Sequence, residues 1–286
     1  MKDSSDKRLH TQRIAFTLIS TLAALTVLPI VLVLGYILVQ GLGALTPEFI
    51  FGFPRDGMRA GGIFPAIVGT FYLTLGTAMF AVPVGLGAAI YLSEYAQDNR
   101  WTRLIRLAII NLAGIPSVVY GLFGLGLFVL FLRFGTSILA GSLTLAIMTL
   151  PVIISTAEEA LRTVPQSFRV VSISLGGTRW QTIQRVVLPE ALPGILTGVI
   201  LGLERAAGET APILFTVAAF FLPRLPSSPL DATMALPYHL FVISTQVPGM
   251  PIQIQYGTAL VLLIFVLGMN LTANAIRSRA RARRQW

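Results

Sequence analysis

The segment Ser167–Pro189, SFRVVSISLGGTRWQTIQRVVLP, is a polar and basic stretch in the second half of an otherwise apolar chain. Long apolar runs lie on both sides of it, so it is a connection outside the membrane that carries its own structure. Apolar residues recur from Trp180 to Val187 at roughly helical spacing, and Gly176 marks a turn. We therefore expect a helical loop through which a partner in water acts on the membrane spans.

The composition places the chain among membrane proteins. Of its 286 residues, 55% are hydrophobic and 12% are charged, whereas a soluble domain carries about 25% charged residues. The net charge of +9 could indicate nucleic acid, but the bases lie in short segments beside apolar runs, which is the membrane pattern. We expect a lipid bilayer and no nucleic acid as partner. The absence of cysteine excludes disulfides and thiolate metal sites.

Six apolar runs are long enough to cross the hydrocarbon core, which takes about 20 residues. These runs are Ile14–Leu38, Ala66–Leu92, Leu104–Leu132, Ile138–Thr156, Ala191 to about Phe220, and Thr258–Ile276. The polar segment before the first run is too long for the start of a signal peptide, so we expect an uncleaved first helix. The sequence predicts an all-α membrane protein with an N-terminal segment 1–13, a six-span domain 14–276 with a loop at about 158–190, and a basic tail 277–286.

The distribution of basic residues predicts the orientation of the spans. Most of the 21 Lys and Arg residues lie in the two terminal segments and in the second and fourth connections. By the positive-inside rule these parts, and both termini, are cytoplasmic. The external connections are then Gly41–Pro65 and about Phe221–Gly257. The second is rich in proline, which favours a stiff docking surface; the alternative is an ordinary connector between spans.

The fifth run contains three ionisable residues, Glu204, Arg205 and Glu209. Each costs about 2.5–3.5 kcal/mol at mid-bilayer, so we expect them to line the bundle interior. Arg205 and Glu209 are four positions apart and can form an ion pair, while Glu204 needs another partner. A guanidinium matches oxyanions, so Arg205 is interpreted as a contact for an anion in transit, held by Glu209 when the path is empty. The alternative is a structural pair that fixes helix register.

The third run contains a proline with two hydroxyl side chains close behind it, Pro116, Ser117 and Tyr120. The proline frees a backbone carbonyl, and the hydroxyls offer hydrogen bonds at the same depth. This pattern favours a kinked helix that lines a pathway. Helix packing alone is the alternative, because glycines flank the stretch.

No enzymatic constellation is present in the sequence. Its two histidines, His10 and His239, lie in the terminal segment and in the second external connection, so neither a Ser-His dyad nor a histidine metal cluster is expected. There is no GxxxxGK[ST] loop for nucleotide phosphates. We expect no catalytic residue, metal or cofactor in this chain, and any ATP hydrolysis belongs to another subunit.

The opening segment resembles the permease signature of binding-protein-dependent ABC importers, which reads EAA, three residues, G, nine residues, I-x-L-P. Gly176 stands at the glycine, and the spacing to Leu188 and Pro189 matches. The EAA positions are occupied by Val170, Val171 and Ser172.

The glutamate of the signature is therefore missing, and Val170 cannot make its contact. Arg169, or the earlier Glu158 and Glu159, are the candidates to compensate. In the family this loop folds as a coupling helix that docks on a cytoplasmic ATPase.

The resemblance implies a coupling helix near Ser172–Gln184, with a turn at Gly176 and Trp180 as an apolar anchor. The alternative for Trp180 is an aromatic side chain at headgroup level. The residues implied in ATPase coupling are Arg169, Ser172, Gly176, Gly177, Trp180, Leu188 and Pro189.

Three further stretches are similar to the phosphate-specific importer permeases. They are Gly61–Thr70, GIPSVVYGLFG at Gly114–Gly124, and RAAGETAP at Arg205–Pro212, whose GETAP form is that of the A-type subunit. The resemblance implies a type I ABC importer permease in a prokaryotic inner membrane that imports inorganic phosphate by alternating access. The substrate-pathway residues it implies are Arg205, Glu209, Glu204, Pro116, Ser117 and Tyr120.

The same resemblance implies the partners. They are a C-type permease as heterodimer, two ABC ATPase subunits that bind ATP and magnesium, and an external phosphate-binding protein. Two alternatives remain open from the residues: a permease for phosphonate, sulfate or molybdate, and a polytopic scaffold that transports nothing.

Overall fold

The structure is a computed structural model that describes the backbone of residues 2–282, and the side chains of residues 12–275 and Ser278. Most side chains of the N-terminal segment and of the basic tail, on which the predicted orientation partly rests, lie outside these described residues. Arg283 and Arg284 of the tail lie outside the described backbone as well.

The described chain is mainly helical. Its α-helices are α1 (Lys2–Gly41), α2 (Pro47–Phe51), α3 (Phe64–Ile90), α4 (Arg100–Ala113), α5 (Ser117–Gly124), α6 (Ile138–Arg162), α7 (Gln166–Ser174), α8 (Arg179–Thr182), α9 (Leu188–Gly208), α10 (Ala211–Thr216), α11 (Leu236–Thr245) and α12 (Ile252–Ala282). Short 3₁₀ turns are at Leu42–Ala44 and Asp56–Met58, and π-helical turns are at Tyr91–Tyr95, Leu125–Phe131 and Ile183–Val187. A two-stranded hairpin pairs β1 (Pro54–Arg55) with β2 (Ala60–Gly61).

Five helical segments are long and apolar enough to cross a membrane: Gln12–Ala44, Phe64–Tyr95, Ile138–Arg162, Arg179–Gly208 and Ile252–Ala275. Four of them contain the predicted first, second, fourth and sixth runs or nearly all of them. Side-chain caps set the starts of α6 and of the shorter helix α4. The Ser137 hydroxyl accepts a hydrogen bond from the Ala140 amide of α6, and the Asn99 side chain accepts one from the Thr102 amide of α4. These caps satisfy amides that have no partner within the helix.

The third run is not the single kinked helix that the sequence predicts. Its two halves, α4 and the segment Ser117–Phe131, meet at an angle of 101°. Ile115 precedes a proline and is therefore disfavoured in helical conformation, and Pro116 has no amide proton to donate. The Tyr120 hydroxyl donates to the Leu112 carbonyl at 2.7 Å, which satisfies one of the carbonyls left free by the break. Counted as one broken span, the pair brings the number to six.

The helix in the fifth run ends earlier than predicted. Helix α9 ends at Gly208, where Glu209 takes an extended conformation, and α10 starts two residues further on. Pro212, near the start of α10, cannot continue the preceding helix, so the chain turns at Glu209 and Thr210. Beyond α10, residues up to Phe220 form a loop.

Helices α3, α6 and α9 form the centre of the molecule and approach one another through small residues. A side chain at Gly198 of α9 would collide with Thr156 of α6, and one at Gly85 of α3 would collide with Ile153 of α6. Close approach of this kind is the usual basis of helix association in lipid, where apolar burial gives little driving force. A second cluster at the far end of these helices contains Ala89, Leu161 and Val187.

The second connection predicted to be external is only partly exposed: its proline-rich first part, residues 221–230, is largely exposed, and the helix that follows is not. Its α11 lies in the core, with Leu236, Val242 and Ile243 fully buried. The Leu236 amide donates to the Thr70 hydroxyl of α3 at 2.8 Å, which fixes the start of α11 against the bundle. His239, expected in an exposed connection, is 2% exposed on this helix.

Burial lowers the pKa of His239 to about 4, below the ordinary value of about 6.5. The ring is therefore neutral in the folded protein at pH 7, while the unfolded chain binds a proton below about pH 6.5. The contribution of the neutral His239 ring to the free energy of unfolding is complete above about pH 6.5. It is lost as the pH falls toward 4, by about 3 kcal/mol at most. We expect the melting temperature in detergent to drop between pH 7 and 5 by less in His239→Gln than in the unmodified chain. Equal drops would contradict this assignment.

Candidate transport pathway and coupling loop

Arg205 and Glu209 form the ion pair that their spacing predicts. The distance from Arg205 Nε to Glu209 Oε1 is 3.3 Å. The pair bridges the end of α9, because Arg205 is in its last turn and Glu209 is the residue that terminates it. The contact is longer than a close charge-assisted bond, so it leaves the guanidinium with unused donors.

Contrary to the prediction from the sequence, Arg205 does not lie inside the bundle. Its side chain is 40% exposed at the surface of the chain, whereas the adjacent Ala206 and Ala207 are buried. The reason is that α9 is packed through its small residues, which turns the long polar side chain outward. Arg205 is thus open to whatever covers this face of the subunit.

Glu209 reaches inward from the same point. Its side chain is 17% exposed, and it lines a narrow cavity of about 10 Å³ with Thr70 and Thr74 of α3. A space of this size holds about one water molecule. Glu209 therefore pairs with the exposed arginine and borders the same small space as two threonines of α3.

Glu204 points to a different neighbour, as its position on the helix requires. Its carboxylate lies near the side chain of Asn270 on α12. Oε1 of Glu204 is buried and has no hydrogen-bond partner among the described residues. The structure thus separates Glu204 from the Arg205–Glu209 pair.

Two of the three stretches that resemble phosphate permeases, Gly114–Gly124 and Arg205–Pro212, meet in space. Helix α5 packs on α10, with Gly121 against the backbone of Ala211 and Pro212. Tyr120 is buried and lies near the charge of Arg205. Its hydroxyl already donates a hydrogen bond to the Leu112 carbonyl. Tyr120 therefore supports the helix break.

The other two residues predicted for the pathway lie at the break itself. Pro116 is exposed at the break and Ser117 is half-buried.

The segment Ser167–Pro189, which the resemblance assigns to coupling and which is called the coupling loop below, does not form one helix over Ser172–Gln184. Helix α7 ends at Ser174, Gly176 turns the chain with φ +88°, and α8 starts at Arg179. A positive φ favours glycine, so the turn expected at Gly176 is confirmed. The helix ends before the turn because Leu175–Gly177 leave the helical conformation, and Thr178 caps the next helix.

Of the other residues predicted for coupling, Ser172 and Gly177 hold the two arms of this loop together. The hydroxyls of Ser172 and Thr182 are 2.8 Å apart, and the Gly177 amide donates to the Ser172 carbonyl at 3.0 Å. Leu188 and Pro189 form the start of α9, with Pro189 in its first turn. Trp180 lies on α8 and is 53% exposed.

Arg169 is occupied by contacts within the chain. Its Nη2 and Nε atoms lie 2.6 and 3.1 Å from the two carboxylate oxygens of Glu94, and it also donates to the carbonyls of Leu161 and Val164. Both charged side chains are nearly buried, at 12% and 8% exposure. Sequence reasoning missed Glu94, whose one signal is a carboxylate at the end of an apolar run.

The two glutamates proposed to replace the missing one of the signature differ in their contacts. Glu158 binds Arg106 at 2.9 Å and Arg162 at 2.8 Å, so it is committed to joining α6 with α4. Glu159 is exposed. Neither the arginine nor the first glutamate is free to make an outside contact.

Helix α7 presents an apolar surface at this end of the molecule. Its exposed members are Phe168 at 46%, Val170 at 56%, Val171 at 57% and Ile173 at 54%, followed by Leu175 at 84%. None of the residues of α7 is buried. Exposed apolar patches of this kind occur where a protein contacts another protein or a membrane.

Comparison with known proteins identifies the family of the chain. Residues 81–284 match the family model of the binding-protein-dependent transport system inner membrane component. A probable ABC transporter permease protein of Bacillus subtilis is 34% identical over 93% of this chain and 95% of its own length. A phosphate transport system permease protein of Mycobacterium tuberculosis is 35% identical over 98% of this chain and 91% of its own length.

Solved structures show the same fold at low identity. The chain is similar to one from a bacterial ABC transporter that imports alginate, with a TM-score of 0.70, 13% identity, and coverage of 95% of this chain and 99% of that one. A chain of the MetNI methionine ABC transporter gives a TM-score of 0.61 at 17% identity and covers 76% of this chain and 97% of its own. The fold is that of type I ABC importer permeases. The chain therefore belongs to the family of binding-protein-dependent transport system inner membrane components.

Proposed function

We propose that this chain is the A-type permease subunit of an ATP-driven importer of inorganic phosphate. The observation that carries the proposal is the placement of Arg205, an exposed guanidinium with spare donors in the segment RAAGETAP. Its fork of donors suits a tetrahedral oxyanion. The proposal is supported by relatives called phosphate transport system permease proteins that align over nearly the whole chain.

The exposure of Arg205 favours a path between two permease subunits. An arginine facing lipid at mid-bilayer costs about 2.5–3.5 kcal/mol or more, so a polar partner covers this face. A C-type permease placed there as heterodimer encloses an aqueous path lined by Arg205, with Glu209 beside it. The orientation that fits is the one with both termini and the end of the bundle carrying Arg106, Arg162 and Arg169 in the cytoplasm, which makes 1–13 and 277–286 cytoplasmic.

The transport cycle then uses the residues as follows. Phosphate released by an external binding protein meets Arg205, which exchanges its contact with Glu209 for the oxyanion. Glu209 repels the anion and competes for the guanidinium, so binding is weak and transient. Two cytoplasmic ATPase subunits, which hold ATP and magnesium, supply the movement through α7. The movement of the spans then opens the Arg205 face to the cytoplasm.

Reconstitution tests the proposal. The chain is placed in proteoliposomes with a C-type permease, two ATPase subunits and a phosphate-binding protein. We expect uptake of labelled phosphate that requires ATP and exceeds uptake without the binding protein. Competition by sulfate, molybdate and phosphonate at equal concentration should be weak. Strong competition would favour another oxyanion, and no uptake with any anion would favour the scaffold.

A further inference from the structure

The cytoplasmic end of α3 is fixed to the coupling loop by buried polar contacts. Glu94 receives a bidentate contact from Arg169, with its side chain 8% exposed. The backbone carbonyl of Glu94 also accepts from Arg179, whose guanidinium carbon lies 4.9 Å from the centre of the Tyr95 ring. One acidic residue thus holds both arms of the loop, since Arg169 is on α7 and Arg179 is on α8.

The geometry makes this contact specific. A planar guanidinium fork on a carboxylate fixes both distance and orientation. Glu94 lies in the π-helical turn Tyr91–Tyr95 that ends the span, and such turns are frequent at functional sites. The two further bonds of Arg169, to the Leu161 and Val164 carbonyls, connect the same point to the end of α6.

The other end of α3 borders the pathway. Thr70 and Thr74 line a small cavity that Glu209 also lines. Thr70 and Glu94 are 24 positions apart on one nearly continuous helix, or about 36 Å at the helical rise. A displacement of the coupling loop therefore has a direct structural connection to Glu209 through α3.

We propose that Glu94 is a positioning residue that transmits movement of the coupling loop to α3, and through it to the Arg205–Glu209 pair. The inference rests on the proposed function. The loop lacks the glutamate of the permease signature, which would stand at Val170. In this chain a glutamate at the end of the span, Glu94, contacts the loop instead through Arg169.

The test is Glu94→Gln in the complete reconstituted complex, with phosphate uptake and ATP hydrolysis measured in the same vesicles. Glutamine keeps the size of the side chain and removes the charge that holds the fork. We expect ATP hydrolysis to continue and the phosphate moved per ATP to fall about tenfold. A residue with only a structural role would lower both rates together and leave this ratio unchanged.

Two further variants make the result decisive. Asp98→Asn removes the partner of Arg103 in a neighbouring exposed pair, at 3.4 Å with 79% exposure of the aspartate, and should leave the ratio unchanged. Glu94→Asp keeps the carboxylate and should restore much of the ratio. If the glutamine variant does not assemble, Arg169→Lys replaces it, because lysine keeps the charge and loses the planar fork, and the phosphate moved per ATP should fall in the same way. An unchanged ratio in Glu94→Gln, or in Arg169→Lys where that one is measured alone, overturns the inference. If the unmodified complex moves no phosphate, it is the proposed function that fails.

Discussion

Replacing Arg205 by glutamine is expected to reduce ATP-dependent phosphate uptake by about 100-fold, because a hydrogen bond to a charged group contributes about 1.5–3 kcal/mol. The side chain is exposed, so its loss leaves no buried charge without a partner except Glu209. ATP hydrolysis and association with the ATPase should persist, since Arg205 lies far from α7. The measurement is the initial rate of uptake in proteoliposomes at several phosphate concentrations.

Glu209→Gln is the matched comparison for Arg205→Gln. It removes the competitor and leaves the guanidinium free, so phosphate should bind more tightly and leave more slowly. We expect a lower half-saturating concentration together with a lower maximal rate, a pattern opposite in its first part to that of Arg205→Gln. Two variants with the same kinetic defect would indicate that the pair only fixes the end of α9.

The sequence predicts most of the spans because their signal is local. Apolar runs of sufficient length and flanking arginines are properties of the chain itself. The two errors in the spans are at Pro116 and Glu209, where helices end inside a run that is mainly apolar on both sides of the break. The mean hydropathy of a run carries no information about an interruption, and a proline is compatible with either a kink or a break of 101°.

The Arg205–Glu209 pair was predictable because it depends on local spacing, whereas its exposure was not. The Arg205–Glu209 pair follows from a spacing of four, and the structure shows it at 3.3 Å. The face on which Arg205 lies depends on which residues pack α9 against α6, so its exposure could not be read from the segment. Glu94 and Arg169 are 75 positions apart. Only the meeting of α3 with the coupling loop in three dimensions identifies this pair.

The apolar surface of α7 gives the other large prediction. The double variant Phe168→Asp with Leu175→Asp should weaken association with the ATPase subunits by about 100-fold, because a hot-spot residue at the centre of an interface contributes about 2 kcal/mol or more and the two aspartates also place charge in an apolar contact. Both side chains are exposed in the chain, at 46% and 84%, so the fold of the permease should be unchanged. Copurification of the ATPase and the melting temperature of the isolated permease measure the two effects separately.

The variants Gln97→Asp and Trp180→Ala complete this test. Gln97→Asp adds a negative charge at an exposed position outside α7 and should leave association unchanged. Trp180 lies on α8 beyond the turn at Gly176, so its truncation should cost less than the changes on α7 if α7 is the docking helix. A larger loss from Trp180→Ala than from the double variant would place the main contact on α8. Helix α7 would then serve to hold the loop against Glu94 through Arg169, and the partner would contact the arm that follows Gly176.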